Sequence, residues 1–156
     1  MSEVIVLNIL RKPLLLPFFQ SHVSAGFPSP AEDHRGVKLD LNALLLSHPQ
    51  ASYLVQVQGH SMTGGESGIR DGSLLAVDCH LTPRPNDIII AVIEGLHTVK
   101  RLVKRPDGSM WLVPDNPMYP SIPLDGEPDL YDCWGVVTHV LTETRPGKLS
   151  RYVRVS

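Results

Sequence analysis

The chain has 156 residues, of which 42% are hydrophobic and 19% charged, and its formal net charge is -2. This length is sufficient for one sizeable core and predicts one folded domain with appendages. The small negative charge, without a helix-turn-helix, zinc-finger or basic-helix pattern, argues against direct sequence-specific DNA binding. The chain has 14 prolines, about 9% of its residues, whereas the usual share is about 5%. This high proline content argues against long helices.

The cysteines and the N-terminus together indicate the compartment. Cys79 and Cys133 are too far apart in sequence for a CxxC element, and two cysteines do not make a disulfide framework. Val23-Ser24-Ala25 superficially resembles a signal-peptidase site, but Pro13 and Pro17 interrupt the apolar stretch before it. No uncharged apolar segment approaches the roughly 18 residues that span a membrane. We therefore expect a cytoplasmic protein with reduced thiols and no membrane segment.

Residues 1–38 are predicted to form an N-terminal arm. They lack a sustained helical period, and four prolines favour extended backbone. Phe18, Phe19 and Phe27 would dock this arm on the domain. Asp40 is then the expected N-cap of a short helix over 41–46, which should stop at 48–49, a His-Pro pair.

The pattern after the helix is typical of β-structure. Tyr53, Val55 and Val57 alternate with glutamines, as in a half-buried strand. Turn chemistry occurs at 94–95 and 106–108, and the apolar run 88–93 predicts a strand covered on both faces. Further strands are predicted over residues 73–78, 87–94, 96–103, 110–113 and 134–142. The sequence thus predicts a mostly β domain over residues 39–144, followed by a basic tail over 145–156.

Two polar residues in this β-region fit a serine nucleophile and a lysine base. Ser61 lies in Gly59-His60-Ser61-Met62, and Lys100 lies in the strand-like run that follows His97. A serine hydroxyl needs a base to remove its proton, and lysine accepts a proton only when neutral. Free lysine has a pKa near 10.4, and full burial lowers a lysine pKa by about 3–5 units, so an apolar strand could supply a neutral amine. Thr98 should lie on the same side of the strand as Lys100 and could orient the amine.

Other interpretations of these residues compete. Ser61 alone is more simply a turn serine, and Lys100 alone a solvated strand end. A Ser-His-Asp site would use His97 or His139 with Asp78 or Asp87, but the GxSxG elbow lacks its last glycine. SxxK, HExxH and phosphate-loop motifs are absent, and the seven histidines show no metal-ligand spacing, so no metal or cofactor is expected.

An ordered series of motifs resembles the UmuD branch of the LexA/UmuD family of self-cleaving serine peptidases, the S24 peptidases. The series comprises Ala25-Gly26-Phe27-Pro28, 40–42 with 48–49, Gly59-His60-Ser61-Met62, 71–78, Thr98-Val99-Lys100 and 135–137. The resemblance covers roughly residues 18–141. It implies a LexA/UmuD-type, signal-peptidase-like β-fold with a short helix and an extended N-terminal arm. LexA-like repressors carry an N-terminal DNA-binding domain, for which this chain has no room.

The resemblance also implies roles for individual residues. Ser61 would be the nucleophile and Lys100 the general base, supported by Thr98. The backbone N–H groups of His60 and Ser61 would stabilise the oxyanion, and Ala25-Gly26 would be the bond cut. Two departures stand out: the UmuD pattern has Cys-Gly at the cleavage site, and the loop over 62–71 is two residues longer than usual.

The partners implied by the resemblance are a second copy of the chain, a RecA–single-stranded DNA filament that stimulates cleavage, and a UmuC-like Y-family polymerase subunit. The expected function is SOS mutagenesis, in which the shortened product acts as accessory subunit of a translesion polymerase. A non-cleaving interaction subunit that regulates polymerase and RecA is the alternative. A processing peptidase that acts on other proteins is disfavoured, because the chain carries a cleavage site of its own and no membrane anchor.

Overall fold

The computed structural model describes residues 3–7, 13–19, 35–124 and 132–148, and these residues are mostly β-structure. The strands are β1 (Val4–Leu7), β2 (Leu15–Phe19), β3 (Arg35–Asp40), β4 (Ser52–Val57), β5 (Leu74–Asp78), β6 (Ile88–Ile93), β7 (Leu96–Lys104), β8 (Met110–Val113), β9 (Ile122–Pro123) and β10 (Asp132–Leu141). One short helix, α1 (Leu41–Leu45), is present in the described residues. The predicted fold class, mostly β with a short helix, is confirmed.

Eight of these strands form one antiparallel sheet, in the order β1-β4-β5-β10-β6-β7-β8-β9. β2 and β3 pair with each other in a separate two-stranded sheet. The predicted turn at 94–95 joins β6 to β7, and both of its residues have the positive φ that a tight hairpin turn requires. The turn at 106–108 likewise joins β7 to β8.

The large sheet has an apolar core on each face. Ile90 and Val99 belong to one buried cluster, whereas Ile89 and Ala91 belong to the other. Neighbouring residues join different clusters because successive side chains of a strand point to opposite faces. The prediction that the run 88–93 is covered on both faces is therefore confirmed for its central residues 89–91.

The sheet curls far enough for its first strand to reach β7. Register shifts interrupt the pairing of β10 with both of its neighbours, which is the usual mark of β-bulges that bend a sheet. Just before β1, the N–H of Glu3 donates to the carbonyl of His97 at 2.8 Å, and Gln58 N–H donates to the carbonyl of Glu3 at 2.6 Å. Glu3 thus bridges the end of β4 and the beginning of β7.

The helix begins as the sequence predicts. The carboxylate of Asp40 accepts hydrogen bonds from the N–H groups of Asn42 at 3.1 Å and Leu14 at 3.0 Å. The bond from Leu14 is the main cause of a lowered pKa for Asp40. The helix ends at Leu45, one residue earlier than predicted, because the backbone of Leu46 leaves the helical region.

Strands β1, β2 and β3 lie largely within the segment that the sequence identified only as an extended arm. Short apolar runs such as Val4–Leu7 do not show their structure by periodicity, and Pro17 weakens the strand pattern of β2. The boundary at residue 38, the boundary at residue 144 and the tail over 145–156 stay predictions. Within the described ranges, no helix is long and apolar enough to cross a membrane.

Candidate active site

The turn that follows β4 carries Ser61. Gly59 adopts a φ of 97°, which favours glycine, and its N–H donates to the carboxylate of Asp71 at 2.8 Å. The chain then turns back, with the N–H of Thr63 donating to the carbonyl of His60 at 3.1 Å. This turn buries Ser61, which is only 6% exposed.

Lys100 approaches Ser61 from β7. It is 4% exposed, and its Nζ lies 3.1 Å from Ser61 Oγ. Nζ also donates to Thr98 Oγ1 at 2.8 Å and to the carbonyl of Val99 at 3.0 Å. Thr98 and Lys100 share one side of the strand because they are two residues apart. The fold therefore brings a serine hydroxyl, a lysine amine and a threonine hydroxyl into one buried cluster.

A carboxylate that the sequence did not point to completes this cluster. Both carboxylate oxygens of Glu3 lie 3.1 Å from Lys100 Nζ. Glu3 Oε2 also accepts from Thr98 Oγ1 at 2.8 Å and from the N–H of Val99 at 3.0 Å, with Ser61 Oγ at 3.3 Å. No motif identifies Glu3, because its place in the site depends on the pairing of β1 with β4.

A cleft of about 640 Å³ opens beside these side chains. Its lining includes Glu3, Gln58, His60, Ser61, Asp71 and Tyr119. Within the described part of the chain, the N–H groups of His60 and Ser61 donate no hydrogen bond. They are therefore free to bind a negatively charged oxygen at the cleft.

The loop before β9 supports the turn that carries Ser61. The backbone N–H of Asn116 donates to the carbonyl of Ser61 at 2.9 Å, and its Nδ2 donates to the carbonyl of His60 at 3.0 Å. The N–H of Asp115 contacts the sulfur of Met62 at 3.4 Å. Three consecutive residues of the turn are thus held by two residues that follow β8. Sequence reasoning missed this support, although the Asn-Pro pair at 116–117 is a turn signal.

Asp115 also fixes the loop over 62–71. Its carboxylate pairs with the guanidinium of Arg101 through two hydrogen bonds of 3.0 Å, and it accepts from Ser67 Oγ at 3.1 Å. The bond from Asp115 raises the pKa of Arg101. Gly65 lies so close that a Cβ there would come within 2.6 Å of the Asp115 Cβ. The loop that the sequence marks as longer than usual is therefore packed against a partly buried ion pair whose arginine follows Lys100 in sequence.

The structure does not assemble a Ser-His-Asp site. His97 packs edge-on against Trp134 with ring centroids 5.7 Å apart, and His139 binds Thr138. The carboxylate of Asp78 pairs with His48, and that of Asp87 accepts from the N–H of Arg84. Neither His97 nor His139 contacts Ser61, whose side chain bonds only Lys100 and Glu3 among the described residues.

Two expectations lie at or beyond the limits of the described residues. The Ala25-Gly26 bond is outside them, and of the basic tail only residues 145–148 are included.

Within the described ranges, no group of three or more His, Cys, Asp or Glu side chains could hold a metal ion.

Comparisons with known proteins identify the family. The sequence model of the family described as Peptidase S24-like matches residues 17–138. The chain is a UmuD-like member of the peptidase S24 family. It is 41% identical over 128 residues to Protein MucA of Salmonella typhimurium, covering 82% of this chain and 85% of that protein. It is 40% identical over 129 residues to Protein ImpA of the same organism, covering 83% of this chain and 85% of ImpA.

A repressor is also among the relatives. The LexA repressor of Acidithiobacillus ferrooxidans is 40% identical over 121 residues, which are 76% of this chain and 57% of the repressor. The family resemblance read from the motifs is therefore confirmed.

Proposed function

We propose that the protein is a serine endopeptidase that cuts its own Ala25-Gly26 bond, with Ser61 as nucleophile and Lys100 as general base. One observation carries this proposal: two buried side chains from distant parts of the sequence lie with Nζ and Oγ 3.1 Å apart at the edge of a cleft. A buried lysine is almost always paired, and this one bonds a serine hydroxyl as well as a carboxylate.

The reaction follows from the positions of these groups. Lys100 Nζ takes the proton of Ser61 Oγ while Oγ bonds to the carbonyl carbon of Ala25. The N–H groups of His60 and Ser61 stabilise the oxygen that becomes negative. The carbon–nitrogen bond then breaks, and Lys100 gives the proton to the amine of Gly26. Water hydrolyses the ester on Ser61 by the same proton route and frees the serine. Thr98 positions the amine throughout.

The proposed cleavage site suits the cleft chemically. Ala25 has a small side chain, and Gly26 lets the backbone approach a nucleophile closely. In the sequence, prolines on both sides favour extended backbone, the form in which proteases bind their substrates by β-type pairing.

The biological role proposed is SOS mutagenesis. The support is the similarity to MucA and ImpA and to a LexA repressor, together with the UmuD-like motif series. In this role a RecA–single-stranded DNA filament stimulates cleavage, and the shortened product, as a homodimer, serves a Y-family translesion polymerase in the cytoplasm. Direct sequence-specific DNA binding is not part of the proposal.

Intact-mass analysis of the purified protein, with and without RecA, single-stranded DNA and nucleotide, tests the peptidase. The expected products are residues 1–25 and a chain that begins at Gly26. Ser61→Ala and Lys100→Ala should each abolish cleavage, whereas Lys104→Ala, at the exposed end of the same strand, should not. Gly26→Glu should also block cleavage, by placing a charged side chain where the backbone must approach Ser61. Terminal sequencing that finds the cut at another bond would overturn the site assignment.

The pH dependence separates a lysine base from a histidine base. Because only a neutral amine accepts the serine proton, cleavage without RecA should accelerate toward alkaline pH. A histidine base would instead reach its plateau by about pH 7, near the reference pKa of 6.5. Such a plateau, with activity that survives Lys100→Ala but is lost in His97→Ala, would refute the lysine base.

The alternative, a non-cleaving interaction subunit, is favoured by one observation: the carboxylate of Glu3 bonds both Ser61 and Lys100. In that case the protein would bind RecA or polymerase, and its mass would stay unchanged at every RecA concentration.

A further inference from the structure

We propose that the cleft at Ser61 and Lys100 is a carboxylate-binding site, that the Glu3 side chain occupies it in the uncleaved chain, and that this occupancy keeps the peptidase latent. The inference rests on the proposed function, because latency has meaning only for a site that can cut.

The site is built to hold a carboxylate. Four donors from the core converge on the two oxygens of Glu3: the amine of Lys100, the hydroxyls of Thr98 and Ser61, and the N–H of Val99. Lys100 is more than nine-tenths buried, so its charge is weakly screened by water. Charge-assisted hydrogen bonds of this kind are about twice as strong as neutral ones.

Occupancy by Glu3 is incompatible with the proposed reaction. The carboxylate lies within 3.3 Å of Ser61 Oγ, where the carbonyl carbon of a substrate would have to stand. Lys100 Nζ contacts both carboxylate oxygens as well as Thr98 and Val99, so its bonding positions are filled. An amine engaged in this way is not available to take the proton of Ser61.

The main chain holds Glu3 in place independently of its side chain. Its N–H bonds to His97 and its carbonyl to Gln58, and β1 pairs with β4 directly afterwards. Substitution of the side chain therefore empties the carboxylate site and leaves these backbone bonds intact. Glu3 also precedes Ala25, so the proposed cut would break its covalent link to the part of the chain that carries Ser61 and Lys100.

The rate of self-cleavage without RecA tests the latency. Glu3→Ala and Glu3→Gln should each cleave about tenfold faster than the parent, as expected when one charge-assisted hydrogen-bond network is lost. Glu94→Gln is the matched control, because Glu94 is exposed in the turn between β6 and β7, and it should cleave at the parental rate. Variants of Glu3 that cleave at or below the parental rate would overturn the proposal.

A small carboxylate gives a second test. Sodium acetate should slow cleavage of the Glu3→Ala variant and leave the parent, whose site is filled, nearly unaffected. Sodium chloride at the same ionic strength controls for screening. Equal sensitivity of the variant and the parent to acetate would contradict a site occupied by Glu3.

A measurement that does not depend on cleavage tests the carboxylate site separately from the proposed peptidase activity. The thiol introduced by Ser61→Cys should react with iodoacetamide several-fold faster when Glu3→Ala is also present, as measured by peptide mass mapping. Cys79 is the internal reference, since burial raises the pKa of its thiol. If alkylation is faster in the double variant but the parent protein is never cleaved, the carboxylate site stands and only the peptidase is refuted. Unchanged alkylation would refute the carboxylate site.

Discussion

Asn116 holds the peptide groups on both sides of Ser61, since its N–H donates to the Ser61 carbonyl and its side chain to the His60 carbonyl. These two bonds hold a turn whose residues His60 and Ser61 line the cleft. The geometry of the proposed oxyanion site therefore depends on a loop that follows β8, more than fifty residues away in sequence.

The first prediction is that the Asn116 side chain sets the cleavage rate without being needed for folding. Asn116→Asp keeps the acceptor for the N–H of Met118 but loses the donor to His60. We expect this variant and Asn116→Ala to cleave about tenfold more slowly, because small displacements of reacting groups cost rate steeply. The cleavage rate is measured by intact mass in samples stopped at successive times, and the melting temperature shows whether each variant is folded. A parental rate in both variants would refute the positioning role.

A second prediction concerns the close approach of Gly65 to Asp115. A Cβ at position 65 would overlap the Asp115 side chain, which is held by Arg101 and cannot move aside cheaply. We expect Gly65→Ala to lower the free energy of unfolding by about 1–3 kcal/mol, the usual cost of overpacking. Urea denaturation measures this cost. Glu66→Ala, an exposed neighbour, should change the free energy by less than about 0.5 kcal/mol.

Alternation and turn chemistry predicted most of the large sheet. The strands from β4 to β8 and β10 lie within one or two residues of their predicted bounds, because each has an apolar pattern ended by glycine, proline or aspartate. The pairing of the N-terminal strand β1 was beyond such reasoning. A four-residue apolar run carries no register, and its partner β4 lies some fifty residues further along the chain.

The residues of the site divide in the same way, into those whose positions the sequence predicted and those whose positions it did not. The approach of Lys100 to Ser61, and of Thr98 to Lys100, agrees with what strand geometry and the motif series predicted, although their catalytic roles stay proposals. Glu3 and Asn116 could not be found from the sequence. Their positions result from the curl of the sheet and from loop packing, neither of which leaves a local sequence pattern.

A third prediction concerns assembly. Leu14, directly before β2, and Leu15 and Leu16, its first two residues, are 45%, 58% and 42% exposed. An apolar run of this kind on the surface typically marks an interface, and a symmetric homodimer is the most common way to cover it. Sedimentation should therefore report about twice the 17.2 kDa chain mass. Leu15→Lys should shift the protein toward the monomer, and a parent that is monomeric at micromolar concentration would contradict the prediction.

Asp78 and His48 form a partly buried contact away from the cleft. The carboxylate of Asp78, which is 3% exposed, accepts from His48 Nδ1 at 2.5 Å and from the N–H of His80 at 2.8 Å. Burial acts to raise the pKa of Asp78, but the bonds from His48 and His80 outweigh it, so the pKa lies below its ordinary value of 3.8.

The last prediction follows from the sign of that shift. Because the folded state binds protons at Asp78 less readily than the unfolded chain, the ionised carboxylate contributes stability above pH 3.8 and loses it as pH falls through the lower folded pKa. Asp78→Asn should therefore lower the free energy of unfolding by about 1–3 kcal/mol at pH 6. Urea denaturation from pH 6 to pH 2.5 should show this difference shrinking, while exposed Glu94→Gln stays near the parent. A difference that is constant with pH would show that Asp78 stabilises the fold by packing alone.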